Sequence, residues 1–252
     1  MSFAGNTDKR KTRDIFPVSL LWIKMCVTID LPGFFHTCRC KMGGNMGFLN
    51  KLFGQTRKPE GILGKFMVFT MNSGHSKLAD WGMTYLPEIS PEQIVDLGCG
   101  GGRNAAELLK RYSGSHVTAV DYSDVSVAKA ADTNQSMIKA GRCSVQQGDV
   151  SDLKLPKGSF DLATAFETIY FWPGLEKCFS QVSAVLKPGG YFLICNESDG
   201  LDDAGQKFAK IIDGMKVYQV PEIESALKAA GFSEVKSNHH SSNPWITVLA
   251  KK

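Results

Sequence analysis

The sequence lacks any apolar run that is long enough to cross a membrane. The best candidate, "IFPVSLLWI" at residues 15–23, is followed directly by Lys24, whereas a membrane-spanning helix needs about 20 apolar residues. No small-residue cleavage site follows it cleanly, so a secretory signal peptide is not expected. Internal repeats and low-complexity tracts are missing too. We therefore expect a cytoplasmic protein without a membrane span.

A disulfide framework is also missing. The chain has seven cysteines, an odd number, and those at 99, 143, 178 and 195 lie within or beside apolar runs. This pattern is typical of buried free thiols in a reducing compartment. Cys38 and Cys40 form a close pair, but no second pair completes a zinc site, so we predict no metal.

Excess charge is absent from most of the chain. Residues 1–41 hold seven basic and three acidic residues, which accounts for the whole net charge of +4 and leaves residues 42–252 balanced. A balanced surface gives no electrostatic reason to expect nucleic-acid binding. A small-molecule partner is expected instead, and the sequence does not indicate the oligomeric state.

Changes in pattern divide the chain into three segments. Residues 1–41 show no sustained periodicity, and we predict a disordered or spurious N-terminal extension there. The alternative is a targeting or partner-binding arm. Residues 42–90 are predicted to be mainly helical, with one helix over residues 75–86 that Pro87 ends. Residues 91–252 form the main domain.

In the main domain, strand-like and helix-like stretches alternate. Apolar runs such as "QIVDLG" and "SHVTAVD" alternate with helical patterns, among them one over residues 123–141 and one over residues 174–188. The alternation predicts an α/β fold with a doubly wound, mostly parallel sheet. The carboxyl ends of parallel strands meet at one edge, where ligands bind. The residues after each predicted strand form the candidate site: 98–102, 121–123, 149–150, 166–173 and 196–198.

The stretch "IVDLGCGGG" at residues 94–102 carries four glycines behind an acid, Asp96. Glycines in a strand-to-helix turn let a ligand approach the backbone and the free N–H groups of the helix. A dinucleotide fingerprint fails from Gly98 but can be read from Gly100 to Ala105. Asp96 would repel a pyrophosphate and attract a cationic methylsulfonium ligand. A tight turn without any ligand is the remaining alternative.

Two further acids follow later strands. Asp121 ends "VTAVD" and can accept both hydrogens of a ribose diol, with Tyr122 beside it to pack on adenine. Asp149 can accept from an adenine amine, with the Val150 N–H serving the ring nitrogen. The alternatives are a helix cap at Asp121, although Ser123 is the better cap, and an ordinary turn acid at Asp149.

These stretches together resemble the class I S-adenosylmethionine-dependent methyltransferases, and most closely the methyltransferase type 11 group with its ubiquinone/menaquinone C-methyltransferases. The resemblance rests on "VDLGCGGG", "VTAVDYS", "GDVSDLKLP", "FDLATAFETIYFWP" and "LKPGGYFLICNE" in order. It covers residues 94–196 strongly and the following residues more loosely. Residues 1–41 lie outside it.

The resemblance implies a Rossmann-like, seven-stranded sheet that is mostly parallel, with an antiparallel C-terminal strand and an N-terminal helical lid over residues 42–90. It implies S-adenosyl-L-methionine as cofactor. It also implies the cofactor-binding residues, which run from the methionine end to the methyl-donor edge: Asp96, Gly98, Cys99, Gly100, Asp121, Tyr122, Asp149, Val150, Phe166 and Glu167. Among these, Cys99 is expected to be a small packed residue and not a nucleophile.

The expected reaction is an in-line methyl transfer to a small organic acceptor. Because the donor is already activated, alignment alone can lower the barrier by roughly 7–11 kcal/mol. A general base is needed only where a proton must leave early; its role is unassigned, with His75, Glu167, Tyr170 and the His239–His240 pair as candidates. Aromatic residues between 166 and 172 favour an apolar or aromatic acceptor.

Two other functions stay open from the sequence. A nicotinamide-dependent oxidoreductase could use the glycine pattern that begins at Gly100. A non-catalytic protein with the methyltransferase fold could bind a partner through residues 1–70. The complete glycine loop and the three acids favour the enzyme.

Overall fold

The computed structural model describes residues 76–252. The predicted extension over residues 1–41, residues 42–75 of the predicted lid and the candidate base His75 lie outside the described residues. The described part contains seven strands: β1 Gln93–Leu97, β2 His116–Asp121, β3 Cys143–Gln147, β4 Phe160–Phe166, β5 Leu186–Asn196, β6 Glu234–His239 and β7 Ile246–Lys251.

Seven α-helices accompany the strands in the described residues: α1 Ser76–Met83, α2 Arg103–Arg111, α3 Asp124–Thr133, α4 Gln135–Lys139, α5 Leu175–Val185, α6 Asp203–Ile211 and α7 Val220–Ala229. Two short 3₁₀ helices, Val150–Asp152 and Ile169–Phe171, follow β3 and β4. None of the helices in the described part is long and apolar enough to cross a membrane.

All seven strands form one sheet in the order β3-β2-β1-β4-β5-β7-β6. Strands β1 to β5 run parallel to one another, and β7 pairs antiparallel with both β5 and β6. The predicted α/β fold, with its seven-stranded sheet and antiparallel C-terminal strand, is confirmed. The carboxyl ends of β1 to β5 therefore lie on one edge.

Alternate side chains of each strand enter two separate cores, one on each face of the sheet. On one face, Val95 and Leu97 of β1 pack with the core that contains α5 and α7. On the other face, Ile94 packs with the core that contains α1, α2 and α3. Strands buried on both faces read as continuous apolar runs, which is why the sequence locates them well.

The helix α1 is shorter than the sequence predicts. It ends at Met83, and the N–H groups of residues 84–86 donate to carbonyls three residues earlier, from Thr84 to Trp81 at 3.0 Å and from Leu86 to Met83 at 3.3 Å. Such bonds tighten the last turn of a helix. The chain therefore leaves the helix before it reaches Pro87.

Two other predicted helices differ from the structure. The predicted helix over residues 123–141 is divided at Asn134, whose side-chain amide donates to the Gly102 carbonyl at 2.9 Å and to the Ala130 carbonyl at 3.0 Å. The predicted helix over residues 174–188 ends at Val185, and Leu186 already pairs with Phe160 in the sheet. Helix α6 was not predicted.

Candidate functional site

The glycine loop after β1 is held against β2 by backbone hydrogen bonds. The N–H groups of Gly98 and Cys99 both donate to the Val120 carbonyl, at 2.8 and 3.0 Å. Gly98, Gly100 and Gly102 have φ angles of 74°, 52° and 80°. Residues that carry a side chain rarely adopt these left-handed φ angles, so glycine is favoured at all three positions.

The glycines differ in what lies beside them. A Cβ atom at Gly98 would lie 2.1 Å from the Thr168 hydroxyl, and one at Gly102 would lie 2.6 Å from the Asn134 amide nitrogen. At Gly100 a Cβ would meet nothing within 4 Å. The resemblance implies that both Gly98 and Gly100 bind the cofactor, and the structure shows that the missing side chain of Gly98 makes room for Thr168. Only Gly100, of these three, faces open space.

The carboxylate of Asp121 joins two loops at the site edge. One oxygen accepts from the Gly100 N–H at 2.8 Å, and the other accepts from the Ser123 N–H at 2.9 Å. Burial raises the pKa of Asp121, while these backbone hydrogen bonds act against the increase. Asp121 therefore orders the glycine loop and fixes its position against the start of α3.

Asp96 lies in β1 with only 1% of its surface exposed. The Thr164 hydroxyl donates to its Oδ1 at 2.7 Å, whereas its Oδ2 has no hydrogen-bond partner. Burial raises the pKa of Asp96 to about 7, with a smaller contribution from the charge of Asp121. Near neutral pH this carboxyl is thus divided between the neutral and charged forms, and its Oδ2 fits a cationic or N–H group.

The loops after β2 and β3 carry the residues predicted to surround adenine. Asp149 accepts from the Ser151 N–H at 2.8 Å and so caps the 3₁₀ helix that contains the buried Val150. The Tyr122 side chain is 53% exposed, and its carbonyl accepts from the Gln147 amide at 2.9 Å. Asp149 therefore stabilises a turn, which is the alternative that the sequence left open for it. The Tyr122 ring is exposed enough for a ligand to contact it.

Glu167, directly after β4, has a φ angle of 60°. Its carboxylate accepts from the Glu197 N–H and from the Tyr170 hydroxyl, the latter at 3.4 Å. The Ser198 N–H in turn donates to the Tyr170 hydroxyl at 3.0 Å. These contacts tie the loop after β4 to the loop after β5, and they support a left-handed conformation that is rare for a residue other than glycine.

Tyr170 and Cys99 are unsuited to accept a proton or attack a substrate near neutral pH. Burial raises the pKa of each side chain well above its ordinary value, and the charges of Glu167 and Asp121 add to this effect. Tyr170 therefore stays protonated and acts as a donor. Phe166 is buried and packs beneath Gly82 of α1, so its side chain belongs largely to the core.

Thr168 is the contact residue that sequence reasoning missed. It lies inside the predicted site range, but no motif distinguishes it, since its hydroxyl is placed by Gly98 and by a bond of 3.1 Å from the Trp172 indole N–H. Asn134 was also missed, although an asparagine within a helical pattern is a signal for a break. Within residues 76–252 there is no cluster of three or more potential metal ligands.

Comparison with known proteins gives one family match and many relatives. Residues 95–194 match the family model described as "Methyltransferase domain". A sterol 24-C-methyltransferase of Gibberella zeae is 30% identical over 172 residues, which cover 62% of this chain and 45% of that protein. The chain thus spans less than half the length of this curated relative.

Two solved structures show the same fold. A SAM-dependent methyltransferase from Aquifex aeolicus has a TM-score of 0.62 at 18% identity, with coverage of 73% of this chain and 97% of that chain. The Haemonchus contortus phosphoethanolamine N-methyltransferase 2, solved with phosphomonomethylethanolamine and S-adenosylhomocysteine, has a TM-score of 0.65 at 18% identity. In that case 81% of this chain and 60% of the other chain are covered.

Proposed function

We propose that this chain is a class I S-adenosylmethionine-dependent methyltransferase and that it transfers a methyl group from that cofactor to a small organic acceptor. The observation that carries the proposal is the link between Asp121 and the Gly100 N–H, which joins the glycine loop to the acid after β2. This link supports a role for the Asp121 carboxylate in ribose binding, next to a backbone that a ligand can approach.

We assign the cofactor-binding residues along the sheet edge. Asp96 and Gly100 bind the amino-acid end, because the Asp96 Oδ2 has no hydrogen-bond partner and Gly100 faces open space. Asp121 binds the ribose diol, because a carboxylate can accept both of its hydroxyl hydrogens. Asp149 and Val150 bind adenine through the second Asp149 oxygen and the backbone, while Tyr122 covers the adenine ring.

S-adenosylmethionine supplies an activated methyl group on a sulfonium, so the chain has mainly to align and shield it. Alignment along the line of attack can lower the barrier by roughly 7–11 kcal/mol. Where the acceptor loses a proton, Glu167 is our candidate base, because its carboxylate is held in place by the Glu197 N–H and the Tyr170 hydroxyl. The Tyr170 hydroxyl positions Glu167 and stays protonated.

The acceptor is proposed to be apolar. The matching relative from Gibberella zeae is a sterol methyltransferase by name, which supports an acceptor of this class. The aromatic residues between 166 and 172 give less support than the sequence indicated, because Phe166, Tyr170 and Trp172 are buried and only Phe171 is partly exposed. Residues 42–90 are proposed to cover this acceptor site.

We place the protein in the cytoplasm and without a nucleic-acid partner. The four cysteines of the described residues are free and buried, as is typical of a reducing compartment. The balanced charge of residues 42–252 supports a neutral or small partner.

Calorimetric titration with S-adenosylhomocysteine tests the cofactor assignment. We expect micromolar binding to the native chain and loss of binding in Asp121→Ala. Asp132→Ala, which removes the same charge from an exposed position on α3, should bind as the native chain does. Thermal stabilisation by NADP but not by S-adenosylhomocysteine would contradict the proposal and favour an oxidoreductase.

A second experiment identifies the acceptor. Metabolite extracts are incubated with the protein and methyl-labelled cofactor, and the labelled product is identified by its mass.

A further inference from the structure

The Thr168 hydroxyl lies at the junction of the loops after β1 and β4. It is close enough to Gly98 that a Cβ atom there would lie 2.1 Å from Thr168 Oγ1 and 2.6 Å from Thr168 Cβ. The side chain is only partly buried. A polar group therefore faces the glycine loop at the end that we assign to the amino-acid part of the cofactor.

The hydrogen bonds around Thr168 leave its O–H available. The Trp172 indole nitrogen can only donate, so Thr168 Oγ1 must be the acceptor in their 3.1 Å bond. Thr168 also precedes the 3₁₀ helix Ile169–Phe171, where a threonine side chain can cap the helix, yet its side chain makes no capping bond. The hydroxyl proton is thus not used by the local backbone.

Other polar groups near Gly98 are already bonded within the protein. The N–H groups of Gly98 and Cys99 donate to the Val120 carbonyl, and Asp96 Oδ1 accepts from Thr164. The Asp96 Oδ2 remains as an acceptor and the Thr168 O–H as a donor. An acceptor paired with a donor complements an α-amino acid, whose ammonium donates and whose carboxylate accepts.

We propose that the Thr168 hydroxyl donates a hydrogen bond to the carboxylate of the cofactor's amino-acid end, while Asp96 receives the ammonium. This inference rests on the proposed function and adds to it a specificity residue, since it makes the site selective for ligands that carry an amino acid. The Trp172 indole is a positioning residue, because it orients the hydroxyl by occupying one of its lone pairs.

Two ligands that differ only beyond the sulfur test the assignment. S-adenosylhomocysteine carries the amino-acid end, and 5′-methylthioadenosine lacks it. In Thr168→Val, which keeps the shape and removes the hydroxyl, we expect the affinity for S-adenosylhomocysteine to fall about tenfold or more, as for a hydrogen bond to a charged group. The affinity for 5′-methylthioadenosine should change by less than about threefold on the same scale. Thr168→Ser, which keeps the hydroxyl, should retain both affinities.

Trp172→Phe is the matched control, because it removes the indole donor and leaves the hydroxyl in place. Its loss of S-adenosylhomocysteine affinity should be smaller than that of Thr168→Val. Equal losses for both ligands in Thr168→Val, or no loss for either, would overturn the assignment. If the native chain binds neither ligand, the proposed function itself fails, and the inference fails with it.

Discussion

Asp96 is a carboxyl group that the fold keeps away from water. Its one bonded oxygen accepts from Thr164 at 2.7 Å, and burial raises its pKa to about 7. An acid with such a pKa can lose its proton when a cation arrives, so binding and protonation are coupled at this residue. The neighbouring Asp121 opposes the charged form, which makes the pair receptive to a positively charged group.

Asp96 should make the stability of the ligand-free protein depend on pH. The pKa of Asp96 is higher in the folded state than the ordinary 3.8 that applies to the unfolded chain. Between about pH 4 and pH 7 the folded state therefore binds more protons at Asp96 than the unfolded state does. The free energy of unfolding should therefore fall as the pH rises through this window and then level off. Asp96→Asn should remove that slope and stabilise the protein at pH 8 by on the order of 4 kcal/mol at most.

Urea unfolding at pH 5 and pH 8 measures this difference for the native chain and for Asp96→Asn. Asp132→Asn, at an exposed position, serves as the control and should keep the native pH dependence. Parallel stability curves for the native chain and Asp96→Asn would show that the Asp96 carboxyl is ionised in the folded protein.

At the scale of elements, α1 packs closely against the carboxyl end of β5. A Cβ atom at Gly82 would lie 2.5 Å from Cys195 Sγ of β5. Trp81 packs against Trp245 and His240, with ring centroids 6.0 and 5.3 Å away. The helix therefore sits at the carboxyl end of β5, beside the loops that form the candidate site.

The contact between Gly82 and Cys195 can be tested by substitution. An alanine usually stabilises a helix by about 1 kcal/mol relative to glycine. Here Gly82→Ala should instead destabilise the protein by about 1–3 kcal/mol, because the added methyl group overlaps the sulfur. In a Cys195→Ala background the cost should shrink by about 1 kcal/mol or more, as expected for residues in contact.

Thermal or urea unfolding of the double-mutant cycle gives these values. Gly114→Ala is the control, since a Cβ atom there meets nothing within 4 Å. Stabilisation by Gly82→Ala, or equal costs in both backgrounds, would contradict the close packing of α1 on β5.

At the scale of the whole molecule, the sheet brings together residues that are far apart in the chain, and these residues form the candidate site. Strands β1 to β5 run in the same direction, so the loops that begin at Gly98, Tyr122, Gly148, Glu167 and Glu197 lie on one edge. The reversed strand β7 brings Ile246 beside Asn196 at this same edge. The loop between β6 and β7 can thereby support α1.

Because all the assigned cofactor-binding residues lie between 96 and 168, a chain that begins at Met42 should bind the cofactor normally. We expect its affinity for S-adenosylhomocysteine, measured by calorimetry, to match that of the full chain within about threefold. The full chain under the same conditions is the control. A loss of binding on removal of residues 1–41 would show that they contribute to the site and would contradict their assignment as a dispensable extension.

The sequence by itself determined the class of fold and the mostly parallel direction of the strands. It also determined which glycine and acidic residues follow or end the strands at the candidate site. These features depend on local patterns: apolar runs for β1 and β2, glycines in the turn at residues 98–102, and an acid at the end of a strand. Each pattern acts over a few residues, because side-chain periodicity and turn conformation are local properties of the backbone. The helix ends were less predictable, since the Pro188 segment joined β5 instead of closing α5.

Only the tertiary structure decided what each of these residues contacts. Gly98 is packed by Thr168 and Gly100 is open, although the two glycines look alike in the sequence. Asp121 is bonded to a loop 21 residues earlier, and Asp96 has its high pKa because two packed faces exclude water around β1. Hydrogen bonds, burial and charge depend on distance in space, and only the folded chain sets those distances.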